Sequence, residues 1–321
     1  MELSSIYAPV QDDLARVEER LQSVTRVDFP QLAELLVYSL KSTGKRIRPV
    51  LTLISGKFYD HDPGNLLAMA TAVEIMHTAT LIHDDSIDKS AVRRGRPTVN
   101  AVWSDEKAVL LGDYLFAEAG AMTASTNNLR AIKLFAQTLK TISTGELNQS
   151  FSAFNLHQSR DEYFQRVGRK TAALFSMATE SGAAMSSAPE TSIQILIRYG
   201  YDLGIAFQIV DDILDFIGTE EELGKPAGSD LTQGTITLPS LLLMERHPGD
   251  NPISRLLDGG DNRREIARAI DMVRNSSIIH ECYQIASDYC ASACRDLKTL
   301  PDKPGRQSLL YLADFITIRK K

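Results

Sequence analysis

The sequence contains two aspartate triplets with the same Asp-Asp-x-x-Asp spacing. They are Asp84, Asp85 and Asp88 in the first triplet, and Asp211, Asp212 and Asp215 in the second. Residues i and i+4 of a helix share a face, so each triplet directs at least two carboxylates the same way. Like charges at this spacing repel, and Mg²⁺, a hard ion that prefers oxygen ligands, would offset them. A solvated helix end could explain one triplet, but two of them, each within an apolar stretch, favour a metal site.

Basic residues accompany the acidic triplets. They are Lys45, Arg46 and Arg48 near a predicted helix start, Arg93, Arg94 and Arg96 after the first triplet, Lys170 beside Thr171, and Lys225 on a Gly/Pro loop. Arginine forks and lysine point charges both suit phosphate oxygens. For Arg46 and Arg96 we favour a solvated surface charge. The combination nevertheless indicates a cavity walled by acidic and basic residues that holds diphosphate and Mg²⁺.

Long helices are predicted to position these residues. No proline occurs between Pro97 and Pro189, and apolar residues inside this gap recur every three or four positions. Strand-like alternation is nearly absent. Because the composition does not shift along the chain, we predict one all-α domain over residues 1–321. This domain is expected to be a bundle of about ten or more helices around a central cavity.

Composition and charge are those of an ordinary globular protein. The 321 residues are 43% apolar and 24% charged, and the net charge of −6 argues against general attraction to nucleic acid or an anionic membrane. No stretch approaches the run of about 18 apolar residues that spans a bilayer, and the N-terminus lacks a secretory pattern. Cys282, Cys290 and Cys294 form no CxxC pair and are expected to be reduced. We therefore expect a cytoplasmic protein without a transmembrane segment.

Five motifs in a fixed order resemble those of the trans-prenyltransferases, the all-E isoprenyl diphosphate synthases. They are residues 44–49 (GKRIRP), 83–88 (HDDSID) followed by 93–95 (RRG), 168–171 (GRKT), 208–215 (QIVDDILD) and 224–226 (GKP). The resemblance covers nearly the whole chain and implies the isoprenoid synthase type of helical fold. One departure concerns Thr235, since members of this family often have lysine there, as a contact to the allylic diphosphate.

The resemblance implies a role for each motif. Isopentenyl diphosphate would be bound by Lys45, Arg48, His77 and Arg94. Both aspartate triplets would bind Mg²⁺, three ions in all, against the allylic diphosphate, assisted by Arg93, Lys170, Thr171, Gln208 and Lys225. The resemblance further implies a homodimer. An apolar helix face gives this weak support, although the face could equally belong to the core; it consists of Ala108, Leu111, Leu115, Ala119 and Met122.

The chemistry implied by these parts is chain elongation. Mg²⁺ would act as a Lewis acid on the allylic diphosphate and stabilise the departing pyrophosphate. The double bond of isopentenyl diphosphate would then attack the allylic cation in a water-poor cavity, and proton loss would give a product one isoprene unit longer. No strong general base is evident, which leaves the released pyrophosphate for that step. Residues 218–234, which include Lys225, are expected to close over the diphosphates.

Residues one turn before the first triplet bear on product length. Ala79 and Thr80 occupy the place where short-chain members of the family often carry aromatic rings, and both are small. Phe135 precedes Gln149 by 14 residues, or about 21 Å along a helix. This ring is either a deep floor of the tunnel or ordinary core. We expect a product of geranylgeranyl length or longer.

Three alternatives remain open. A class I terpene cyclase shares the first triplet, but it usually has a different second metal motif and lacks a counterpart to Lys45 and Arg48. A di-iron carboxylate bundle would use the Glu-x-x-His pattern of Glu74 and His77, but it needs a second such motif, and none is convincing. A non-catalytic subunit of a heteromeric synthase is expected to lose aspartates from the triplets, whereas this chain has all six.

Overall fold

The computed structural model describes residues 2–41, 44–219, 226–256 and 262–318, and the described chain is predominantly helical. Its first helices are α1 (Leu3–Tyr7), α2 (Gln11–Val24), α3 (Pro30–Leu40), α4 (Ile47–Gly56), α5 (Pro63–Ile87), α6 (Val99–Val102), α7 (Asp105–Ser125), α8 (Leu129–Phe151) and α9 (Arg160–Val167). A π-helical turn (Gly168–Ala172) separates α9 from the helices that follow. These are α10 (Ala173–Ala184), α11 (Glu190–Ile217), α12 (Ser229–Thr232), α13 (Leu238–Arg246), α14 (Pro252–Arg255), α15 (Asn262–Arg274), α16 (Ile278–Cys294) and α17 (Pro304–Ile318).

Within the described residues, the only sheet is one short two-stranded hairpin. Strand β1 (Val92–Arg93) pairs antiparallel with β2 (Arg96–Pro97). The predicted all-α class is therefore confirmed. Lys225, with the rest of residues 220–225, lies outside the described residues, so the predicted closing segment is described from residue 226 onward.

The chain groups into two compact units. Unit 1 comprises Met1–Leu139, Leu174–Gly200 and Cys294–Leu312, and unit 2 comprises Lys140–Ala173, Tyr201–Ala293 and Ala313–Lys321. Each transition between the units falls inside a helix, namely α8, α10, α11, α16 and α17. Neither unit is therefore a continuous segment, and no linker separates them. A single domain over residues 1–321 stays a prediction.

Helix α5 is the central helix of unit 1. It begins with Pro63 in its first turn, and the Asp62 side chain accepts a hydrogen bond from the Asn65 backbone N–H at 2.7 Å. Among the described helices it is the one long and apolar enough to cross a membrane, but 72% of its most apolar window is buried inside the protein. A core helix passes the same test, so this is weak evidence for a membrane segment.

Helix α7 packs along α5. Most of the face proposed as weak support for a dimer is turned inward, since Ala108, Leu111, Leu115 and Ala119 are at most 2% exposed, whereas Met122 at its end is partly exposed. The structure thus favours core packing for this face and removes it as support for a dimer. The opposite side of α7 exposes Val109 and Leu110 instead.

In unit 2, helix α9 leads directly into the Gly-Arg-Lys-Thr motif, residues 168–171. A capping box begins the helix: the Ser159 side chain accepts from the Glu162 backbone N–H, and the Glu162 carboxylate accepts from the Ser159 backbone N–H. Arg160 on α9 forms ion pairs with Glu245 on α13 and Glu281 on α16. These contacts hold the helix that leads into the π-helical turn.

Candidate active site

The first aspartate triplet lies at the C-terminal end of α5. Asp84 and Asp88 are one turn apart, partly exposed and on one helix face, and the Asp88 backbone N–H donates to the Asp84 carbonyl at 2.8 Å. Asp85 is buried, and its Oδ1 accepts a hydrogen bond from Arg93 Nε at 2.8 Å. Burial raises the pKa of Asp85, and the Arg93 charge opposes that rise. The outer two carboxylates are therefore the accessible ones.

The β1–β2 hairpin positions Arg93. Its turn contains Arg94 at φ 52° and Gly95 at φ 73°, left-handed conformations that glycine adopts without strain. The Tyr38 hydroxyl on α3 donates to the Pro97 carbonyl at 2.7 Å and anchors the second strand. Because the hairpin is short and anchored, it holds the Arg93 guanidinium against the first triplet.

His83 also fixes this end of α5. Its Nε2 lies 2.9 Å from the Val109 carbonyl, and its ring packs edge-on against Phe116. A Cβ added to Gly112 on α7 would lie only 2.1 Å from His83 Nε2. Gly112 therefore permits the close approach of α7 to the residue that precedes Asp84.

Gly112→Ala is expected to lower the turnover number at least about tenfold, because the methyl group must displace His83 and with it the first triplet. Steady-state kinetics measure the effect. Gly120→Ala on the same helix is the matched control, since its added Cβ would lie 3.4 Å from the Phe135 ring, an ordinary contact. Equal turnover in the two variants would contradict the positioning role of His83.

His77, about two turns earlier on α5, lies against Arg48 at the start of α4. Arg48 Nη1 lies 3.0 Å from His77 Nε2. Arginine only donates hydrogen bonds, so Nε2 accepts and the proton is on Nδ1. Burial, followed by the charges of Arg48 and Arg94, lowers the pKa of His77 well below its usual range and keeps the imidazole neutral. The Arg48 guanidinium also stacks 4.4 Å from the Phe175 ring centroid.

The two arginines interpreted as surface charges differ in the structure. Arg96 is exposed and lies 4.8 Å from the Tyr38 ring centroid. The interpretation of Arg46 as a solvated charge is wrong: its side chain is 11% exposed and forms ion pairs with Glu18 and Glu74. Helix packing buries it because α2 and α5 both lie against α4.

The Glu-x-x-His pattern has no di-iron geometry. Glu74 is paired with Arg46 at 2.6 Å, and His77 accepts from Arg48. Both side chains that would ligate iron are thus engaged by arginines. This disfavours the di-iron alternative.

The second triplet occupies the last turns of α11, in unit 2. Asp212 is buried; its Oδ2 accepts from the Tyr163 hydroxyl at 2.6 Å and its Oδ1 from Gln208 Nε2 at 2.8 Å. Burial, reinforced by the charge of Asp230, raises the pKa of Asp212 to about 7. Asp211, one turn before Asp215, is partly exposed. As in the first triplet, the middle carboxylate is buried and held by protein groups.

Asp215 connects α11 to the described end of the predicted closing segment. The Asp230 backbone N–H donates to Asp215 Oδ2 at 3.3 Å, and the Gly228 backbone N–H donates to the Asp215 carbonyl at 2.9 Å. Gly228 has φ 73°, a conformation that favours glycine. Helix α12 is therefore fastened directly to the second triplet.

The Lys170-Thr171 pair lies in the π-helical turn, an element that frequently occurs at functional sites. Thr171 Oγ1 donates to Gln208 Oε1 at 2.7 Å, so Thr171 and Gln208 form one chain of hydrogen bonds to Asp212. Lys170 Nζ lies 2.7 Å from Glu146 Oε2 on α8. The structure thus links two predicted site residues, Thr171 and Gln208, to Asp212 and pairs Lys170 with Glu146.

Tyr163→Phe is expected to raise the Mg²⁺ concentration needed for half-maximal activity about threefold to tenfold, because the second triplet loses one donor that orients Asp212. A Mg²⁺ titration of initial rates measures this. Tyr289→Phe, which removes a hydroxyl elsewhere in unit 2, is the control. Identical Mg²⁺ dependence in Tyr163→Phe and wild type would contradict the role of this hydrogen bond.

Near Thr235 the structure contains a buried cation that the sequence reasoning missed. Arg166 is 8% exposed and donates to the Ile236 carbonyl and to Gln158 Oε1. Its charge acts on Asp212 and opposes the effect of burial on the pKa of that carboxyl. Thr235 itself is held by its backbone N–H, which donates to the Asp230 carbonyl at 2.8 Å.

The residues proposed to set product length differ in accessibility. Ala79 is fully buried, whereas Thr80 is partly exposed and donates to the His77 carbonyl at 2.7 Å. Phe135 is partly exposed on α8, with its ring against Gly120 of α7. Their role in chain length stays a prediction.

The carboxylates suit Mg²⁺ by their chemistry. Within the described residues, no three His, Cys, Asp or Glu side chains converge closely enough to hold a metal by themselves. Mg²⁺ takes one or two carboxylates and completes its shell with water and phosphate oxygens. Buried Asp85 and Asp212 both have raised pKa values, and a nearby cation would relieve the cost of their ionisation.

Other residues of this site were also missed by the sequence reasoning. Tyr163 and Glu146 hold Asp212 and Lys170, and neither stands in a charged motif. The i, i+7 spacing of Tyr163 and Lys170 on a helical stretch places both on one face, and this could have indicated Tyr163 as a site residue. Nothing in the local sequence indicates that Glu146 pairs with Lys170, since the contact joins distant helices.

Comparison with known proteins shows which family the chain belongs to. A sequence profile of the polyprenyl synthetase family matches residues 29–280. A heptaprenyl diphosphate synthase component 2 from Bacillus subtilis (strain 168) is 36% identical over 320 residues, which span 100% of this chain and 92% of the relative. A heptaprenyl diphosphate synthase from Staphylococcus aureus has a TM-score of 0.93 at 34% identity, with 100% of this chain and 99% of that chain covered. A polyprenyl synthase from Caulobacter crescentus CB15, crystallised with calcium and isoprenyl diphosphate, also has a TM-score of 0.93, at 32% identity and with 100% and 98% covered.

The chain therefore belongs to the polyprenyl synthetase family. It is a trans-prenyltransferase with the helical fold of the isoprenyl diphosphate synthases, and enzymes of this family are generally metal-dependent.

Proposed function

We propose that this chain condenses isopentenyl diphosphate with an allylic diphosphate and releases an all-E polyprenyl diphosphate of geranylgeranyl length or longer. The observation that carries the proposal is the arrangement on α5. One helix has accessible carboxylates Asp84 and Asp88 at its end, and two turns earlier a neutral His77 that accepts from Arg48. A carboxylate pair suits a metal–diphosphate complex, and the separate arginine group suits a second diphosphate.

Four residues are proposed to bind isopentenyl diphosphate. Lys45, Arg48 and Arg94 supply positive charge, and neutral His77 orients the Arg48 guanidinium by accepting a hydrogen bond from its Nη1–H. Stacking on Phe175 further restricts Arg48. A restricted guanidinium loses less entropy when it binds a diphosphate than a free one does.

The allylic diphosphate is proposed to bind where the aspartates hold metal. Mg²⁺, three ions by our proposal, supplies positive charge to the departing diphosphate when it is bound. Asp84, Asp88, Asp211 and Asp215 are the expected ligands, and buried Asp85 and Asp212 support them. Further contacts to the diphosphate are proposed from Arg93, Lys170, Thr171, Gln208 and Lys225, of which Lys225 lies outside the described residues.

Lys170 must change partner for this role. In the structure its ammonium is paired with Glu146, and a diphosphate carries more negative charge than one carboxylate. We propose that Lys170 turns from Glu146 to the allylic diphosphate upon binding.

A long product is favoured by two kinds of support. Ala79 and Thr80 are small; the S. aureus protein named above is a heptaprenyl diphosphate synthase, and the B. subtilis protein is named component 2 of one. A homodimer in the cytoplasm completes the proposal. Val109, Leu110, Leu129 and Ile132 of unit 1 are exposed apolar residues on α7 and α8 that a second copy could cover.

A second candidate assembly is a heteromer, because the B. subtilis relative is named component 2. In that case this chain would be the catalytic member, since its aspartate triplets are complete. Light scattering of the purified chain, with activity measured on the same fractions, distinguishes the two assemblies. An active dimer supports the homodimer, and a chain active only with a second protein supports the heteromer.

Pyrophosphate release tests the proposed reaction. We expect release when the purified chain is mixed with Mg²⁺, isopentenyl diphosphate and farnesyl diphosphate, and none when isopentenyl diphosphate is omitted. Release without isopentenyl diphosphate would favour a terpene cyclase. Silence with geranyl, farnesyl and geranylgeranyl diphosphates would favour a chain that needs a second subunit, either as its catalytic or as its non-catalytic member.

A further inference from the structure

Arg46 ties residues 44–46, the loop directly before α4, to three neighbouring helices. Its Nε donates to Glu18 Oε1 on α2 at 2.6 Å, and its Nη1 donates to Glu74 Oε1 on α5 at 2.6 Å. Its Nη2 donates to Glu18 Oε2 at 3.2 Å and to the Leu40 carbonyl at the end of α3 at 3.4 Å. Since α2, α3 and α5 surround the loop, one planar guanidinium fixes its position from three sides.

The backbone at Arg46 is also unusual. Arg46 has φ 52° and ψ 30°, in the left-handed region, and the next residue, Ile47, begins α4. A residue with a side chain holds this conformation only where its surroundings enforce it. The Arg46 conformation therefore sets the direction in which the chain enters α4, and with it the relative placement of Lys45 and Arg48.

Tyr7 holds the same loop from the N-terminal helix. Its hydroxyl donates to the Lys45 backbone carbonyl at 2.7 Å. Burial, followed by the charge of Glu74, raises the pKa of Tyr7, so the phenol keeps its proton and stays a donor. Tyr7 and Arg46 thus hold adjacent positions of this loop, and buried Glu74 acts on both of them.

We infer that Arg46 and Tyr7 are positioning residues for isopentenyl diphosphate, which hold Lys45 and Arg48 in the geometry that binds its diphosphate. The inference rests on the proposed function and concerns residues to which that function gives no role. Loss of either anchor does not remove Lys45 or Arg48. It lets the loop move, so that the two cationic side chains are less well positioned. The affinity for isopentenyl diphosphate should then fall, while the affinity for the allylic substrate, which uses other residues, should not.

Steady-state kinetics with each substrate varied in turn test this inference. Arg46→Met is expected to raise KM for isopentenyl diphosphate about tenfold, and Tyr7→Phe about threefold, since small displacements of binding groups have effects of this size. KM for farnesyl diphosphate should stay within about twofold of wild type. Arg46→Lys keeps the charge but cannot bridge both glutamates, and we expect an intermediate KM. Calorimetric titration with isopentenyl diphosphate alone, which cannot react without a primer, should give matching losses of affinity.

Two matched variants control for general destabilisation. Arg130→Met removes another arginine that bridges two glutamates, Glu180 and Glu190. Tyr199→Phe removes another phenol-to-carbonyl bond, to Leu309 at 2.8 Å. Both controls should keep the wild-type KM for isopentenyl diphosphate.

The outcomes separate the inference from the proposed function. If the KM for isopentenyl diphosphate is unchanged in Tyr7→Phe and Arg46→Lys, or rises equally in the controls, the inference is wrong while the reaction stands. If Arg46→Met does not fold, the two conservative variants decide. A wild-type chain that neither binds isopentenyl diphosphate nor elongates a primer would overturn both.

Discussion

Alanine in place of Asp84, or separately in place of Asp211, is expected to lower the turnover number about 10³-fold or more. Each is the accessible first carboxylate of its triplet and shares a helix face with the third, so each is expected to ligate metal directly. Removal of one ligand weakens the positive charge that stabilises the leaving diphosphate. Initial rates at saturating substrates over a range of Mg²⁺ concentrations measure the loss.

Exposed aspartates on other helices provide the control. Asp12→Ala on α2 and Asp271→Ala on α15 remove the same charge from solvent-exposed positions and should keep turnover within about twofold of wild type. Thermal unfolding of all four variants shows that the loss is not one of folding. Wild-type turnover in either Asp84→Ala or Asp211→Ala would show that the assignment of the metal ligands is wrong.

Thr80→Phe is expected to shorten the dominant product to geranylgeranyl length or less. Thr80 lies one turn before Asp84 on the same face of α5, and its side chain is partly exposed. A phenyl ring there would block a tail that runs along this face. The structure makes Thr80 a better test than Ala79, because Ala79 is fully buried and a ring there would overpack the core. Chromatography of dephosphorylated products gives the chain length directly.

Thr78→Phe is the matched control for product length. Like Thr80, Thr78 is a threonine on α5 whose hydroxyl donates to a backbone carbonyl. Because the two residues are two positions apart, their side chains lie on nearly opposite sides of the helix. Its product distribution should equal that of wild type. Phe135→Ala should lengthen the product if that ring is the floor of the tunnel. A wild-type distribution in Thr80→Phe would contradict a tail path along this face.

Helix periodicity and motif spacing predicted most of what positions the site. The i, i+4 relation of Asp84 and Asp88, the helix start after Arg46 and the all-α class all follow from local rules that sequence carries. The π-helical turn at Lys170 was not predicted, because its extra residue per turn leaves no compositional signal.

Side-chain partners from distant segments could not be predicted. Arg46 stands in a charged hexapeptide that is typical of a surface, yet α2 and α5 bury it between two glutamates. The apolar face of α7 was equally compatible with core and interface, and only packing against α5 decides between them. Such contacts depend on which helices become neighbours, and helix periodicity does not specify that.

Product analysis of the wild-type chain is the most direct measurement. Incubation with Mg²⁺, isopentenyl diphosphate and farnesyl diphosphate, followed by dephosphorylation and chromatography, should yield geranylgeraniol or a longer all-E polyprenol, and chelation of Mg²⁺ should abolish it. Recovery of farnesol alone, with no elongated alcohol at any ratio of the two substrates, would contradict chain elongation by this protein.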